Sequence, residues 1–211
     1  MSIEPGYPSL AWICLHILQK LIKLALNSAD EAYFPRLTNF PQKLGTGRRM
    51  AGKVVGIFIA GKKEKKPKSV KSVEVVAHRG LVGDRYFTNS GTFSDAEPHG
   101  PGREVTLIEM ENVDLLQNSI HKEVNPALLR RNVLTQGIRI NDLVGREFMI
   151  GNIRLLGVRL CHPCAHLQRL SGWRVKEYLK EKGGLRADIL ENGRIHVGDT
   201  VDLPRDSPPA K

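Results

Sequence analysis

Cysteine is scarce in this chain, with three in 211 residues. That is too few for a disulfide framework, and the only close pair, Cys161 and Cys164, sits too near in sequence to make a useful crosslink. A reducing, cytoplasmic setting fits this usage. Aromatic residues make up only 6% of the chain, so stacking platforms for nucleic-acid bases are not a general feature of it. Neither a Walker-type nor a dinucleotide-type glycine motif is present, which removes the commonest phosphate-cradling nucleotide sites. Long apolar runs are limited to Leu10–Leu26, interrupted by His16, Gln19, Lys20 and Lys23. A membrane-spanning helix needs about 20 mostly apolar residues, and a secretory signal carries basic residues ahead of its apolar stretch. Here Glu4 is the only charged side chain upstream, so the segment reads as an appended amphipathic helix with no transmembrane segment. Cys14 falls on its apolar face, where packing accounts for it.

What is present divides the chain in three. Residues 1–49 read as an extension, the helix followed by a linker marked by Pro35, Pro41, Gly45 and Gly47. Met50 is a second reading of the start, and from Ala51 the chain is expected to fold alone. Residues 50–204 form the main domain and 205–211 a flexible, proline-containing tail. With 41% hydrophobic residues the chain can bury one substantial core.

The formal charge of +10 is unevenly placed. Lys62, Lys63, Lys65, Lys66, Lys68 and Lys71 stand against Glu64 alone, five net positive charges within ten residues. No aromatic residue interleaves them, so a solvated loop between strands is preferred and no specific nucleic-acid partner is expected.

Periodicity assigns strands to Lys53–Ala60 and Ser72–Ala77, expected to pair as a hairpin around the lysine loop. The glycine-punctuated run from His78 to Tyr86 and the polar loop from Thr88 to Gly102 follow; a loop that long is often functional. Glu104–Ile108 reads as a strand and Glu109–Ile120 as a helix. Asn125-Pro126 supplies a cap and a first-turn proline for a second short helix. Val133–Thr135, Arg146–Ile150 and Ile153–Leu160 read as strands, with a turn at Gly151-Asn152. Gly172–Lys182 reads as a helix stopped by Gly183-Gly184. Arg186–Leu190 and Arg194–Val197 flank Asn192-Gly193, a strong hairpin signal. Gly198–Asp202 closes the sheet. Seven or more short strands with few helices predict a mainly β, α+β fold: a barrel or folded mixed sheet.

The chemistry concentrates in Leu160-Cys161-His162-Pro163-Cys164-Ala165-His166-Leu167, two thiols and two imidazoles where a strand opens into a loop. Such groups bind soft metals, attack electrophiles or carry sulfur. A zinc module draws on the same residues, but adjacent Cys161 and His162 do not easily share a tetrahedral centre, and no second Cys-x-x-Cys completes it. A third reading is a non-catalytic adaptor that uses the lysine loop to dock on a nucleic acid or an acidic partner.

Five segments, taken in order, carry a family resemblance. They are Gly80-Leu81-Val82-Gly83-Asp84-Arg85-Tyr86, His99-Gly100-Pro101-Gly102-Arg103, Arg130-Arg131-Asn132-Val133, Leu143–Gly151 and Cys161–Leu167. Over about Lys53 to Leu203 this order resembles the MOSC domain, found at the C-terminus of molybdenum cofactor sulfurases and as small stand-alone bacterial proteins. The resemblance implies a β-barrel-rich fold, a molybdopterin-type molybdenum cofactor, and a cysteine, here Cys164, that ligates molybdenum or carries sulfur. The implied chemistry is reduction of N-hydroxylated compounds or sulfur transfer. His99, Gly100, Arg103, Arg131, Asn132, His162 and Arg186 are the residues then expected around the cofactor, with Arg131 and Asn132 beside His99-Gly100 on its phosphate. Asp84 is expected to orient an arginine. Residues 1–49 are too short for a pyridoxal-phosphate domain and no iron–sulfur cysteines are present, so a cysteine desulfurase or an electron-donor protein is the implied partner.

Overall fold

A computed structural model describes residues 51–92 and 100–204. The appended helix and linker of residues 1–49, the 205–211 tail and His99 lie outside the described residues.

The chain enters through β1 (Gly52–Ile59), turns through the lysine loop into β2 (Lys68–Val70), and passes across Lys71 into β3 (Ser72–Val76) and the short β4 (Gly80–Leu81). β5 (Val105–Glu109) runs into helix α1 (Met110–Ile120), and a 3-10 turn at Pro126–Leu129 leads to β6 (Val133–Gln136). A second 3-10 turn at Ile140–Leu143 precedes β7 (Glu147–Ile150) and β8 (Ile153–Leu160). Helices α2 (Ala165–Ser171) and α3 (Val175–Tyr178) follow, then β9 (Leu185–Ile189), β10 (Gly193–His196) and β11 (Thr200–Asp202).

Seven strands close into a barrel in the order β11-β7-β8-β9-β5-β6-β1, with β1 pairing back to β11 and β2 added beside β1. Every contact in the ring is antiparallel except β5 with β6. That exception has a local cause, since a parallel neighbour needs a crossover and α1 with the 3-10 turn supplies it. β10, β3 and β4 form a separate three-stranded sheet.

The pleat sorts side chains to two cores. Leu107 and Val133 point into the barrel with Ile57, Phe148, Leu155 and Leu185, whereas their neighbours Ile108 and Leu134 point outward. The outward pair is covered by Val113 and Leu116 of α1, Leu129, and Leu167, Val175 and Leu179 from the α2–α3 segment. Cys164 packs at the margin of this second core. The site segment is thus fixed to the outside of the barrel by ordinary apolar burial.

Three expectations are corrected in detail. β1 pairs in a hairpin with Lys68–Val70 and not with Ser72–Val76, which crosses to the side sheet. Asn192-Gly193 does not close a hairpin: β9 pairs with β5 and β8, while β10 pairs with β3. Asn192 instead accepts a hydrogen bond from the Ala77 N–H at 2.7 Å, joining the turn to the end of β3. The helix expected over 172–182 is confined to Val175–Tyr178, and the preceding helix, α2, occupies sequence read as loop. Gly172 ends α2 at φ +74°, a left-handed cap that glycine adopts without strain. The mainly β, barrel-containing fold class holds. No helix among the described residues is long and apolar enough to cross a membrane.

Candidate functional site

The strand β8 ends in Cys161, and from there the chain turns sharply outward. Cys161 is 2% exposed, its N–H bonded to the Gly184 carbonyl. This close approach requires the Gly183-Gly184 pair. A Cβ on Gly183 would collide with the Cys161 carbonyl oxygen, and one on Gly184, at φ +109°, with that of Leu107. The glycines expected to stop a helix therefore also form the seat on which the cysteine segment rests.

Arg131 holds the same segment from below. It is 8% exposed, and it donates from Nε to the Gly183 carbonyl at 2.7 Å, from Nη1 to Leu129 and from Nη2 to Cys161. Three carbonyls from three parts of the chain thus converge on one buried guanidinium. Three residues on, Cys164 is the N-cap of α2, its sulfur accepting the Leu167 N–H at 3.5 Å. The thiol is half-buried where Cys161 is fully so.

Cys164 faces a small cavity of about 60 Å³, room for about two waters. Arg85, Arg130, Arg131 and Arg186 line it together with His162 and His166. Arg85 is 6% exposed, pairs with Asp84 at 3.3 Å, and lies 4.9 Å from the centre of the Tyr86 ring. Asp84 also accepts the backbone N–H groups of Ala60 and Tyr86 and a bond from Asn132, so it does orient an arginine. Arg186 reaches from β9 to the Gly102 carbonyl at 3.3 Å.

Arg130 is the unusual member. It has left-handed backbone at φ 59°, ending the 3-10 turn that Asn125 caps through the Ala127 N–H. Its Nη1 donates to the Lys65 carbonyl at 2.7 Å, while its Nη2 is buried and, among the described residues, has no hydrogen-bond partner. Burial, and after it the nearby charge of Arg85, pushes its pKa down. Two guanidiniums lining one small cavity, one of them with a buried donor that has no partner among the described residues, fit an anionic group.

His166 sits on the first turn of α2. Arginine only donates, so the 2.9 Å contact from Arg169 Nη2 makes Nδ1 of His166 the acceptor. The proton then resides on Nε2, 3.5 Å from the Thr92 hydroxyl. Burial first, then Arg169, pushes the imidazole pKa down.

A larger cavity of about 600 Å³ adjoins the first, and Tyr86 lines both. Its walls include Phe87, Arg79, Arg103, Gly100, Glu104 and Asp188. The Arg79 guanidinium lies 4.2 Å over the Phe87 ring. Asp188 accepts the Gly102 N–H at 2.7 Å and Glu104 the Ile189 N–H at 2.7 Å, so backbone donors already serve both carboxylates.

The residues singled out in the sequence separate accordingly. Cys164, His162, Arg131 and Arg186 meet at the small cavity, and Gly100 and Arg103 at the large one. Asn132 is buried away from both, accepting from Thr106 and donating to Phe58 and Asp84. Arg85, Tyr86 and Arg130 were not singled out. Their signal was membership of the segments that carry the resemblance, Gly80–Tyr86 and Arg130–Val133, where Arg85 stands beside Asp84 and Arg130 beside Arg131. Among the described residues, no three of His, Cys, Asp and Glu gather closely enough to hold a metal ion, so the zinc reading lacks a ligand set there.

A profile of the MOSC domain matches residues 95–202, just over half of the chain. The chain belongs to the MOSC domain family. Solved structures agree at the level of fold. The YuaD protein of Bacillus subtilis superposes with a TM-score of 0.61 at 17% identity, over 73% of this chain and 96% of that one. YiiM of Geobacillus stearothermophilus gives 0.56 at 14% identity over 73% and 75% of the two chains. YiiM of Escherichia coli gives 0.54 at 16% over 74% and 72%. No curated protein matches the chain by sequence. MOSC membership thus rests on the profile, and the barrel that carries it begins before the matched segment, at Gly52.

Proposed function

We propose that this MOSC protein binds a molybdenum cofactor, with Cys164 as the ligand to the metal, and serves the reduction of N-hydroxylated compounds. The observation that carries the reading is the buried Nη2 of Arg130, without a partner among the described residues, at the cavity that Cys164 and Arg85 also line. Cationic donors and a soft sulfur ligand in one small cavity suit a cofactor whose thiophilic metal carries anionic ligands.

The two cavities also suit its parts by size. The small one admits a metal or an anionic end but no ring system. The large one, with aromatic and guanidinium faces from Phe87, Tyr86 and Arg79, has the volume and walls of an organic-ligand site. Cys164 would hold the metal, with Arg130 and Arg85 as positive neighbours of the metal's own anionic ligands, and the larger cavity's walls would hold the planar part. When bound, such a cofactor supplies two-electron reduction. The chain's own residues do the rest: Arg131 and Gly183-Gly184 hold the cysteine segment still, and Tyr86 divides metal side from ring side.

The test is elemental analysis of protein from a host that makes the cofactor, for the parent, Cys164→Ser and Arg130→Ala. Molybdenum in the parent, lost in both variants, is the expected result. Molybdenum retained by Cys164→Ser would remove the ligand assignment. A persulfide on Cys164 in metal-free parent would assign sulfur transfer instead, with a cysteine desulfurase as partner.

A further inference from the structure

The lysine loop lies on the rim of the Cys164 cavity. Residues 61–67 connect β1 to β2, and Lys62, Lys63, Lys65 and Lys66 are all exposed, as are Lys68 and Lys71 beyond them. Three contacts fix the loop to the site. Arg130, whose other arm faces the cavity, donates to the Lys65 carbonyl at 2.7 Å. Glu64, at φ 64°, lies 4.0 Å from Arg169, the residue that also engages His166. The Ser90 hydroxyl donates to the Gly61 carbonyl at 3.3 Å. At the root of the loop, the Ala60 carbonyl accepts the Arg85 N–H at 2.7 Å and the Ala60 N–H donates to Asp84.

These contacts use backbone and the loop's lone acid. The lysine side chains are left exposed to solvent as one compact positive field, on a loop that Arg130 and Arg85 of the cavity help to hold in place. We propose that this loop is the docking platform for an acidic protein surface, and that docking seats that protein over Cys164. Charge complementarity selects the partner's sign, and at a held rather than swinging loop it also selects its position. The footprint favours a protein over a nucleic acid. The positive charge occupies one hairpin turn, not a track along which a phosphate backbone could run, and Gly61–Pro67 contains no aromatic ring for a base to stack on. A bound protein would cover the only described cysteine that is not fully buried. The inference does not depend on which cofactor Cys164 serves.

The experiment uses full-length protein and fluorescein-labelled poly-L-glutamate as the acidic probe. Binding is followed by anisotropy, and alkylation of Cys164 by iodoacetamide is followed by peptide mass spectrometry. Replacing Lys62, Lys63, Lys65 and Lys66 together with Gln is expected to weaken binding about tenfold or more, from four surface charge pairs of modest strength each. The same four changed to Arg should retain it, and added salt should weaken the parent. Bound polyglutamate should slow Cys164 alkylation in the parent and leave the rate in the Gln variant unchanged. Equal binding by the Gln variant would overturn the platform. An unaltered alkylation rate in the saturated parent would overturn its placement over the cavity. A single-stranded oligonucleotide of equal charge that bound more tightly and protected Cys164 would reassign the platform to nucleic acid. None of these readouts involves molybdenum, so they stand apart from the cofactor test.

Discussion

Nη2 of Arg131 lies 3.0 Å from the carbonyl oxygen of Cys161, thirty residues along the chain. With the bonds to Gly183 and Leu129, this contact makes Arg131 the tie between the residue after β8, the approach to β9 and the 3-10 turn at Pro126–Leu129. Arg131→Ala should cost about 3 kcal/mol or more, since buried carbonyls lose a charged donor. Chemical denaturation measures it. A variant as stable as the parent would mean the three carbonyls find other partners.

Gly184→Ala should also be poorly tolerated. The position combines φ +109° with a backbone carbonyl where the methyl group would go, so the Cys161 seat must shift. A loss of more than about 2 kcal/mol is expected. Gly145→Ala is the control, because it shares a positive φ of 73° but has open space around it. Equal losses at both would leave only the backbone strain and none of the close approach.

The two described cysteines should differ in reactivity through burial alone. In native buffer, Cys164 should react with a small thiol reagent at least about a hundredfold faster than Cys161, which waits on opening of the fold. Peptide mapping reads both rates in one sample. Similar rates would show that the end of β8 frays.

His166 should titrate below its usual 6.5, because burial and Arg169 disfavour the imidazolium. Such a group lends stability above the unfolded value that is lost as pH falls toward the folded one. Its NMR titration midpoint should rise in Arg169→Ala, which removes a positive neighbour. A midpoint at or above 6.5 in the parent would show that neither burial nor Arg169 disfavours the imidazolium.

Glu104 runs the other way. Burial first raises its pKa above 4.5, with Asp188 adding to the effect against the Ile189 N–H. A carboxyl raised in the fold costs stability above its folded pKa, and the cost disappears as pH falls toward 4.5. Glu104→Gln keeps an oxygen to accept from Ile189. The parent should therefore gain thermal stability relative to Glu104→Gln as pH drops from neutral. A pH-independent difference would show that the carboxylate is better solvated than its surroundings suggest.

Local signals were legible wherever one segment decided the outcome. The alternation of Ile153–Leu160 and the turn at Gly151-Asn152 produced β7 and β8 in register. Asn125-Pro126 announced a capped turn that is present, though as a 3-10 turn. What escaped needed a second segment. Asn192-Gly193 has the chemistry of a hairpin, but a hairpin also requires its flanking strands to choose each other. β9 is held between β5 and β8 on the barrel, which leaves β10 to β3.

The site divides the same way. Cys164 stood out because thiols and imidazoles rarely cluster. Choosing between Arg130 and Arg131 depends instead on the direction each leaves the chain. Arg130 turns toward the cavity from a left-handed cap, and Arg131 turns under the cysteine segment. Adjacent letters carry no such direction.

The ring of strands is sealed by the shortest of its members. β11 spans only Thr200–Asp202, yet it pairs with β7 on one side and with β1 on the other, bringing Val201 opposite Gly52. Until that segment is made, a barrel emerging from the ribosome has two open edges, and its closing contact joins nearly the most distant described residues. Loop-closure entropy must be met before that pairing returns anything. The barrel therefore completes only after β11 has been made. Its nascent edges at β1 and β7 are where a misdirected strand would add.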